Sequence, residues 1–274
     1  MTFLVLLVIV WVEKFSALRQ RLQRDGFLLG ELARLERVPA LARDPWLILL
    51  ILAGVPMAVL GLLLVVIKPV GYGLLALPVH LLVLGYSLGR GDPKAALGPL
   101  RDAWRRGDDT AALHVAERDI GVGAETPAQL VGEVQGWLLW RALESFFSVV
   151  FWYALLGPVM VLGYRLVALV AEHSRHAPLV ERAAQLRHAL DWLPARLLGA
   201  SFALVGNFIA VMRLMLQELL HWYIGARELV GQAGQLATGA SPEQPVEGLD
   251  ALWSLLQRAA VLWYVVLAVA TLLN

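Results

Sequence analysis

Residues 46–67 read WLILLILAGVPMAVLGLLLVVI, a run without one charged side chain. A bilayer core about 30 Å thick is crossed by roughly 20 helical residues, so this stretch alone predicts a helix solvated by hydrocarbon. Four further stretches share the pattern: 70–88, 146–170, 192–212 and 252–273. Their polar interruptions are few, His80 and Asn207 among them. The expected fold class is all-α, a polytopic membrane helical bundle with a small helical layer on the cytoplasmic side. No strand signal of weight and no repeat stands against it.

Composition agrees. The chain is 59% apolar and 16% charged, with a mean hydropathy of +0.66, where a soluble domain carries about 25% charged residues. Cysteine is absent, which excludes disulfides and thiolate metal sites. Several of the ten tryptophans stand near segment ends (Trp11, Trp46, Trp192, Trp253 and Trp263), where indole rings settle at headgroup level. Thr2 to Val12 is apolar but short. It lacks the basic flank of a secretory signal, and a tilted helix that borrows Phe15 and Leu18 would cross, giving an expected span at 2–14.

Charge distribution supplies an orientation. Residues 13–45, 90–145 and 213–251 hold sixteen Lys and Arg, against four (Lys68, Arg175, Arg182 and Arg187) in the intervening connections. The positive-inside rule puts the sixteen in the cytoplasm and makes Lys68-Pro69 a tight outer turn. The whole of 1–274 then reads as one membrane domain with cytoplasmic helical segments at 15–45, 90–145 and 213–251. Residues 13–37 have amphipathic spacing with a break near Gly26. Asp108 is a candidate cap for a helix over 108–119, and Thr126 with Pro127 for one that runs into the span at Phe146. The helical pattern continues from the 192–212 span through 213–237, and 239–245 is a loop.

Few residues offer chemistry. Asp191 ahead of Trp192-Leu193-Pro194-Ala195-Arg196 reads as a cap with proline in the first helical turn, and Arg196 as a headgroup-seeking arginine or an anion contact. Arg118 and Asp119 follow His114 and Glu117, a spacing that gives salt bridges on a solvated helix more readily than a metal site, which needs a third ligand. Arg141 and Glu144 stand three apart at the mouth of a span, able to satisfy each other or to line a polar cavity. His80 reads as a neutral histidine bonded to a neighbouring helix, Gly206-Asn207 as a close-packing point, and Gly157-Pro158 as a kink. No Gly-rich phosphate loop, HExxH or nucleophile elbow occurs. The basic segments lack interleaved aromatics, so no nucleic-acid partner is expected. No catalytic or metal-ligating residue is assigned; the candidate binding residues are Arg118, Asp119, Arg141, Glu144 and Arg196.

Phe151-Trp152-Tyr153-Ala154-Leu155-Leu156-Gly157-Pro158, then Gly163-Tyr164-Arg165, then Asp191 through Leu197, together resemble the AmpE/CobD/CbiB family of integral membrane proteins. The opening Met1-Thr2-Phe3-Leu4-Val5, with Glu13-Lys14-Phe15 and Arg19-Gln20-Arg21-Leu22, resembles the AmpE branch, and Arg118-Asp119 matches an Arg-Asp pair before the central spans. The CobD/CbiB branch implies amide formation in cobamide synthesis with ATP and Mg²⁺. Its polar run before the Phe-Tyr block is replaced here by Glu144-Ser145-Phe146-Phe147-Ser148-Val149-Val150, and the run after Tyr164-Arg165 by Leu166-Val167-Ala168-Leu169. Those replacements remove groups that could hold Mg²⁺ and a triphosphate. The AmpE branch implies a multi-pass bacterial inner-membrane regulator of β-lactamase induction linked to peptidoglycan recycling, non-catalytic, in contact with the bilayer. A muropeptide or nucleotide ligand and a homodimer are compatible with that reading. The competing expectations are a CobD/CbiB-like enzyme and a transporter of a cell-wall-derived solute, the latter resting on broken spans at Gly54-Val55-Pro56, Leu77-Pro78 and Gly157-Pro158.

Overall fold

A computed structural model describes residues 25–38, 43–67, 75–89, 93–239 and 243–273. The expected crossing at 2–14, its continuation to residue 24 and the Lys68-Pro69 turn lie outside the described residues. Among the described residues all regular structure is helical, with no strand. The protein is an all-α helical membrane protein.

The helices are α1 (Gly26–Glu36), α2 (Pro45–Ile67), α3 (Ala76–Ser87), a single turn at Pro93–Ala96, α4 (Gly98–Arg105), α5 (Asp109–Ile120), α6 (Pro127–Leu156), α7 (Pro158–His173), α8 (Ala177–Val205), α9 (Phe208–Glu218), α10 (Ala226–Thr238) and α11 (Pro245–Leu273). Of these, α2, α6 and α11 are long and apolar enough to cross a bilayer, and α3 is a shorter apolar helix. Two caps legible in the sequence form as expected. The Asp108 carboxylate accepts from the Ala111 amide at 2.9 Å, and the Thr126 hydroxyl from the Gln129 amide at 3.3 Å with Pro127 as the first helical residue.

Two apolar stretches do not form single helices. The 146–170 stretch divides at Gly157, whose φ of 77° and ψ of −167° favour a residue without Cβ, and Pro158 then opens α7. The 192–212 stretch divides at Gly206-Asn207. There the Asn207 side chain caps α9 by accepting from the Ala210 amide at 3.2 Å, while its own amide donates to the Ala237 carbonyl at 3.0 Å. A Cβ on Gly206 would lie 2.9 Å from both Cβ and O of Ala237, so only glycine admits this approach. Asn207 is therefore a helix cap. The helical pattern of 213–237 is likewise interrupted after Glu218 and resumes at Ala226.

The reading of Asp191 and Pro194 as a helix start is corrected. Both lie inside the 29-residue α8. An interior proline withholds the N–H that would bond the carbonyl four residues back, at a cost of about 3 kcal/mol. That carbonyl belongs to Leu190, and it accepts the Trp152 indole N–H at 3.2 Å. The group that proline leaves open is thus answered by a side chain, which lets the helix continue.

Packing divides the described residues into two compact units, one drawn from 1–90, 149–190 and 273–274, the other from 91–148 and 191–272. In the first, α1, α2, α7 and the start of α8 bury Leu32, Ile48, Leu52, Leu169 and Leu179 together. A Cβ on Gly163 of α7 would overlap Met57 Sδ of α2, so the glycine sets how closely these helices approach. Polar groups inside this unit are paired across helices. The Tyr86 hydroxyl donates to Asp25 Oδ1 at 2.9 Å, Arg165 Nη2 lies 3.6 Å from Asp25 Oδ2, and His80 Nδ1 bonds the Tyr153 hydroxyl at 2.7 Å. The expectation of a histidine bonded to a neighbouring helix holds for His80.

In the second unit α6 and α10 form the main contact. A Cβ on Gly231 of α10 would meet Gly136 Cα at 3.8 Å, and one on Gly234 would meet Leu139 Cδ1 at 2.5 Å. Small residues at such crossings let helix backbones approach closely. Leu138, Leu143, Leu198, Phe202 and Leu229 fill the core around that seam.

Candidate functional site

Buried polar residues are the natural place to look in a helical membrane protein, because each must find its partner within the protein. In the second unit these are Gln135, Glu144, Ser148, Asp191, Arg196 and Ser201. Some serve as struts: Gln235 Nε2 donates to Gln135 Oε1 at 3.2 Å, and the Trp263 indole to the Ser201 hydroxyl at 2.9 Å. The remaining four concentrate on α6 and the middle of α8.

Helix α6 widens into one π-type turn at Leu143–Phe147. Such turns insert an extra residue, re-aim the side chains that follow, and occur often at functional sites. Glu144 sits in this turn at 5% exposure, and Arg141 Nη1 donates to its Oε2 at 3.3 Å. Arg141 also faces the Trp137 ring at 5.9 Å, while its own side chain keeps 41% of its surface open. One turn further on, the fully buried Ser148 hydroxyl donates to Asp191 Oδ1 of α8 at 3.0 Å, with Asp191 only 1% exposed. Two buried carboxylates, one hydroxyl and one half-open guanidinium are therefore carried by a short stretch of two helices.

Arg196, five residues beyond Asp191, has a different task. Its Nε donates to the Leu219 carbonyl at 2.6 Å, Nη1 to Trp192 O at 3.0 Å, and Nη2 to His221 O at 2.6 Å and Glu218 O at 3.4 Å. The guanidinium lies 3.9 Å from the Trp192 ring centre, and Trp192 stacks on Trp222 at 5.9 Å. Helix ends leave carbonyls without intrahelical donors, and this arginine answers those at the end of α9.

Arg118 and Asp119 occupy α5 and form a two-pronged pair, with Nε to Oδ1 at 2.6 Å and Nη2 to Oδ2 at 2.9 Å. Arg118 is 70% exposed in its side chain. That hydrogen bond is the main reason the Asp119 carboxyl is held below the usual carboxylate range and the Arg118 guanidinium above its usual value. Of the five residues singled out in the sequence, Arg141 and Glu144 are a direct pair, Arg196 shares α8 with Asp191, and Arg118 and Asp119 bind each other on an exposed helix.

Sequence reasoning missed Ser148. A single serine amid Phe146-Phe147-Ser148-Val149-Val150 resembles any small residue of a span until the facing Asp191 is seen. It also missed Tyr153 as the partner of His80, although intramembrane histidine and tyrosine both demand one.

The class is that of a helical membrane protein whose buried polar groups pair between helices. A family model described as regulatory signalling modulator protein AmpE matches residues 1–274, and the chain belongs to that family. Protein AmpE of Shigella flexneri is 25% identical over 149 residues, which is 51% of this chain and 52% of that protein. The chain thus matches about half the length of this curated relative. No solved structure matches. The family description carries a regulatory role.

Proposed function

We propose that this protein is a multi-pass inner-membrane regulator that tunes β-lactamase induction in step with peptidoglycan recycling, and that it does so without catalysing a reaction. The whole-length match to a family described as a signalling modulator carries this reading. Two of the buried polar residues support it, because their bonds are made within the protein. Arg196 directs its donors to four backbone carbonyls, and Ser148 is bonded to Asp191.

Within the reading, Arg141, Glu144 and Asp191 are the signalling element. Glu144 sits in the widened turn of α6, and its guanidinium partner reaches the surface. A muropeptide-like or nucleotide-like anion that draws Arg141 away leaves a buried carboxylate without that partner. Coulombic attraction in a low-dielectric interior makes such an exchange felt along the helix. Arg118 and Asp119 lie outside this element as an exposed pair on α5, and Arg196 positions the end of α9.

The test is complementation. A host with inducible β-lactamase and no chromosomal copy of this protein receives the unaltered chain or none. Induction by a β-lactam should differ between the two. Equal induction with the protein present in the membrane at normal level contradicts the regulatory assignment. Isothermal titration with a muropeptide and with ATP then asks which anion, if either, binds and whether Arg141→Ala abolishes it.

A further inference from the structure

Helix α9 and the turn after it form a surface that neither the span pattern nor the regulatory reading accounts for. The helix has eleven residues, Phe208–Glu218, about 16 Å at 1.5 Å per residue. That is half the hydrocarbon thickness. Its inner face packs Val211 and Met215 into the core of the second unit. The outer face is largely apolar: Leu216 is 72% exposed, Leu220 82% and Tyr223 95%, with Trp222 also exposed beside them, and Gln217 and His221 are its exposed polar neighbours. Arg213 is exposed three residues before Leu216.

The carbonyls that close this helix are not left to water. Arg196 spends Nε and Nη2 on Leu219, Glu218 and His221, over a Trp192 ring that Trp222 covers. An exposed helix end in water needs no such device, since water serves its carbonyls. A helix end at the edge of hydrocarbon does need it. The clamp also fixes the turn so that Leu220 and Tyr223 project outward.

We propose that α9 and the turn at 219–223 are an interfacial element. They lie in the headgroup–acyl boundary of the bilayer without crossing it, apolar side chains inward and Arg213 against anionic headgroups. Length excludes a crossing by this helix alone. The aromatic pair Trp222 and Tyr223 suits the boundary, where a ring with one polar edge is favoured. Arg213 supplies the charge complementarity that interfacial helices use toward anionic lipid. The same unit contains α11, whose Val261, Val265 and Val266 are exposed on a helix long enough to span, so lipid already solvates part of it. This inference does not depend on the regulatory role.

The chain has no cysteine, so single-cysteine spin labels can be placed without removing any. Leu216→Cys, Leu220→Cys and Tyr223→Cys, with Glu228→Cys on α10 as a water-facing control, are labelled in the full chain. The chains are reconstituted in phosphatidylethanolamine vesicles with phosphatidylglycerol. Collision rates with oxygen and with a nickel chelate give depth. Labels at all three positions are expected roughly 5–10 Å below the phosphates, with the depth reduced by Arg213→Ala or by replacing phosphatidylglycerol with phosphatidylcholine. Nickel accessibility equal to that at Glu228 overturns the proposal by showing a water-facing surface. A midplane depth overturns it by showing a crossing. Protection from both reagents with an immobilised spectrum overturns it by showing a protein partner, a second copy included.

Discussion

Two arginine–carboxylate pairs of the second unit invite comparison. Arg118 and Asp119 meet through two contacts of 2.6 and 2.9 Å, whereas Arg141 and Glu144 meet through one of 3.3 Å. By geometry the first pair is the better bond. By environment the second matters more, because Glu144 is buried and Arg118 stands in solvent. An exposed pair contributes about 0–1 kcal/mol, since water and salt compensate its loss. Removing one partner of a buried pair costs about 3–5 kcal/mol, because the other charge stays behind. Burial, not bond length, therefore decides which pair the fold depends on.

The largest expected effect comes from the arginine buried most completely in bonds. Arg196→Ala removes the guanidinium donors from the carbonyls of Leu219 and His221, at roughly 1–3 kcal/mol for each group that stays dry. Its thermal midpoint in detergent should fall by more than that of any other single variant considered below, with Arg196→Lys intermediate because an ammonium cannot reproduce the guanidinium fork. A midpoint unchanged in Arg196→Ala breaks the claim that burial sets the scale.

Glu144→Gln should follow, destabilising by about 1–3 kcal/mol through a weakened partner for Arg141. Asp191→Asn should fall in the same range, as the acceptor of the Ser148 bond changes from a carboxyl group to an amide. A smaller effect tests the proline in α8. Trp152→Phe should cost about 1 kcal/mol while Pro194 is present, because Leu190 O then lacks a donor. With Pro194→Ala the helix can supply its own N–H, and the cost of Trp152→Phe should vanish. An additive double mutant would show that the indole does not serve that carbonyl.

The smallest effect belongs to the exposed pair. Asp119→Asn should leave the thermal midpoint at neutral pH unchanged within error. The Asp119 carboxyl is held below its ordinary value by Arg118. Whatever stability the pair contributes is therefore present above the ordinary carboxylate pKa, about 3.9, and is lost as pH falls through the lower folded value. Carboxyl NMR titration should show Asp119 below that ordinary value and returning toward it in Arg118→Ala. An unshifted carboxyl in the unaltered chain would dismiss the pair as a contact in solution.

The helical membrane character was legible from residues 46–67 alone, since twenty-two uncharged positions leave one solvent open to them. The caps at Asp108 and Thr126 were legible because their chemistry is local, and so was the histidine's need for a partner. The internal breaks were harder. Gly206-Asn207 ends a helix because Ala237, thirty residues on, takes the Asn207 amide, and no window of sequence contains that contact. Pro194 misled in the opposite direction. Its usual place in a first helical turn made Asp191 look like a cap, while Trp152, distant in sequence, answers the carbonyl that lets the helix continue. In the candidate site, the contact between Arg141 and Glu144 was legible from their spacing. The contributions of Ser148 and the widened turn at Leu143–Phe147 depend on the facing helix and on a change of helical period that residue types do not announce.

The contrast between the two pairs is tested most directly by β-lactamase induction in cells whose only copy carries Glu144→Gln or Asp119→Asn, each at the membrane level of the unaltered protein. Glu144→Gln is expected to shift the inducer concentration for half response by about tenfold, equivalent to roughly 1.4 kcal/mol, with Asp119→Asn indistinguishable from the unaltered chain. A normal response in Glu144→Gln, or a shift confined to Asp119→Asn, would contradict it.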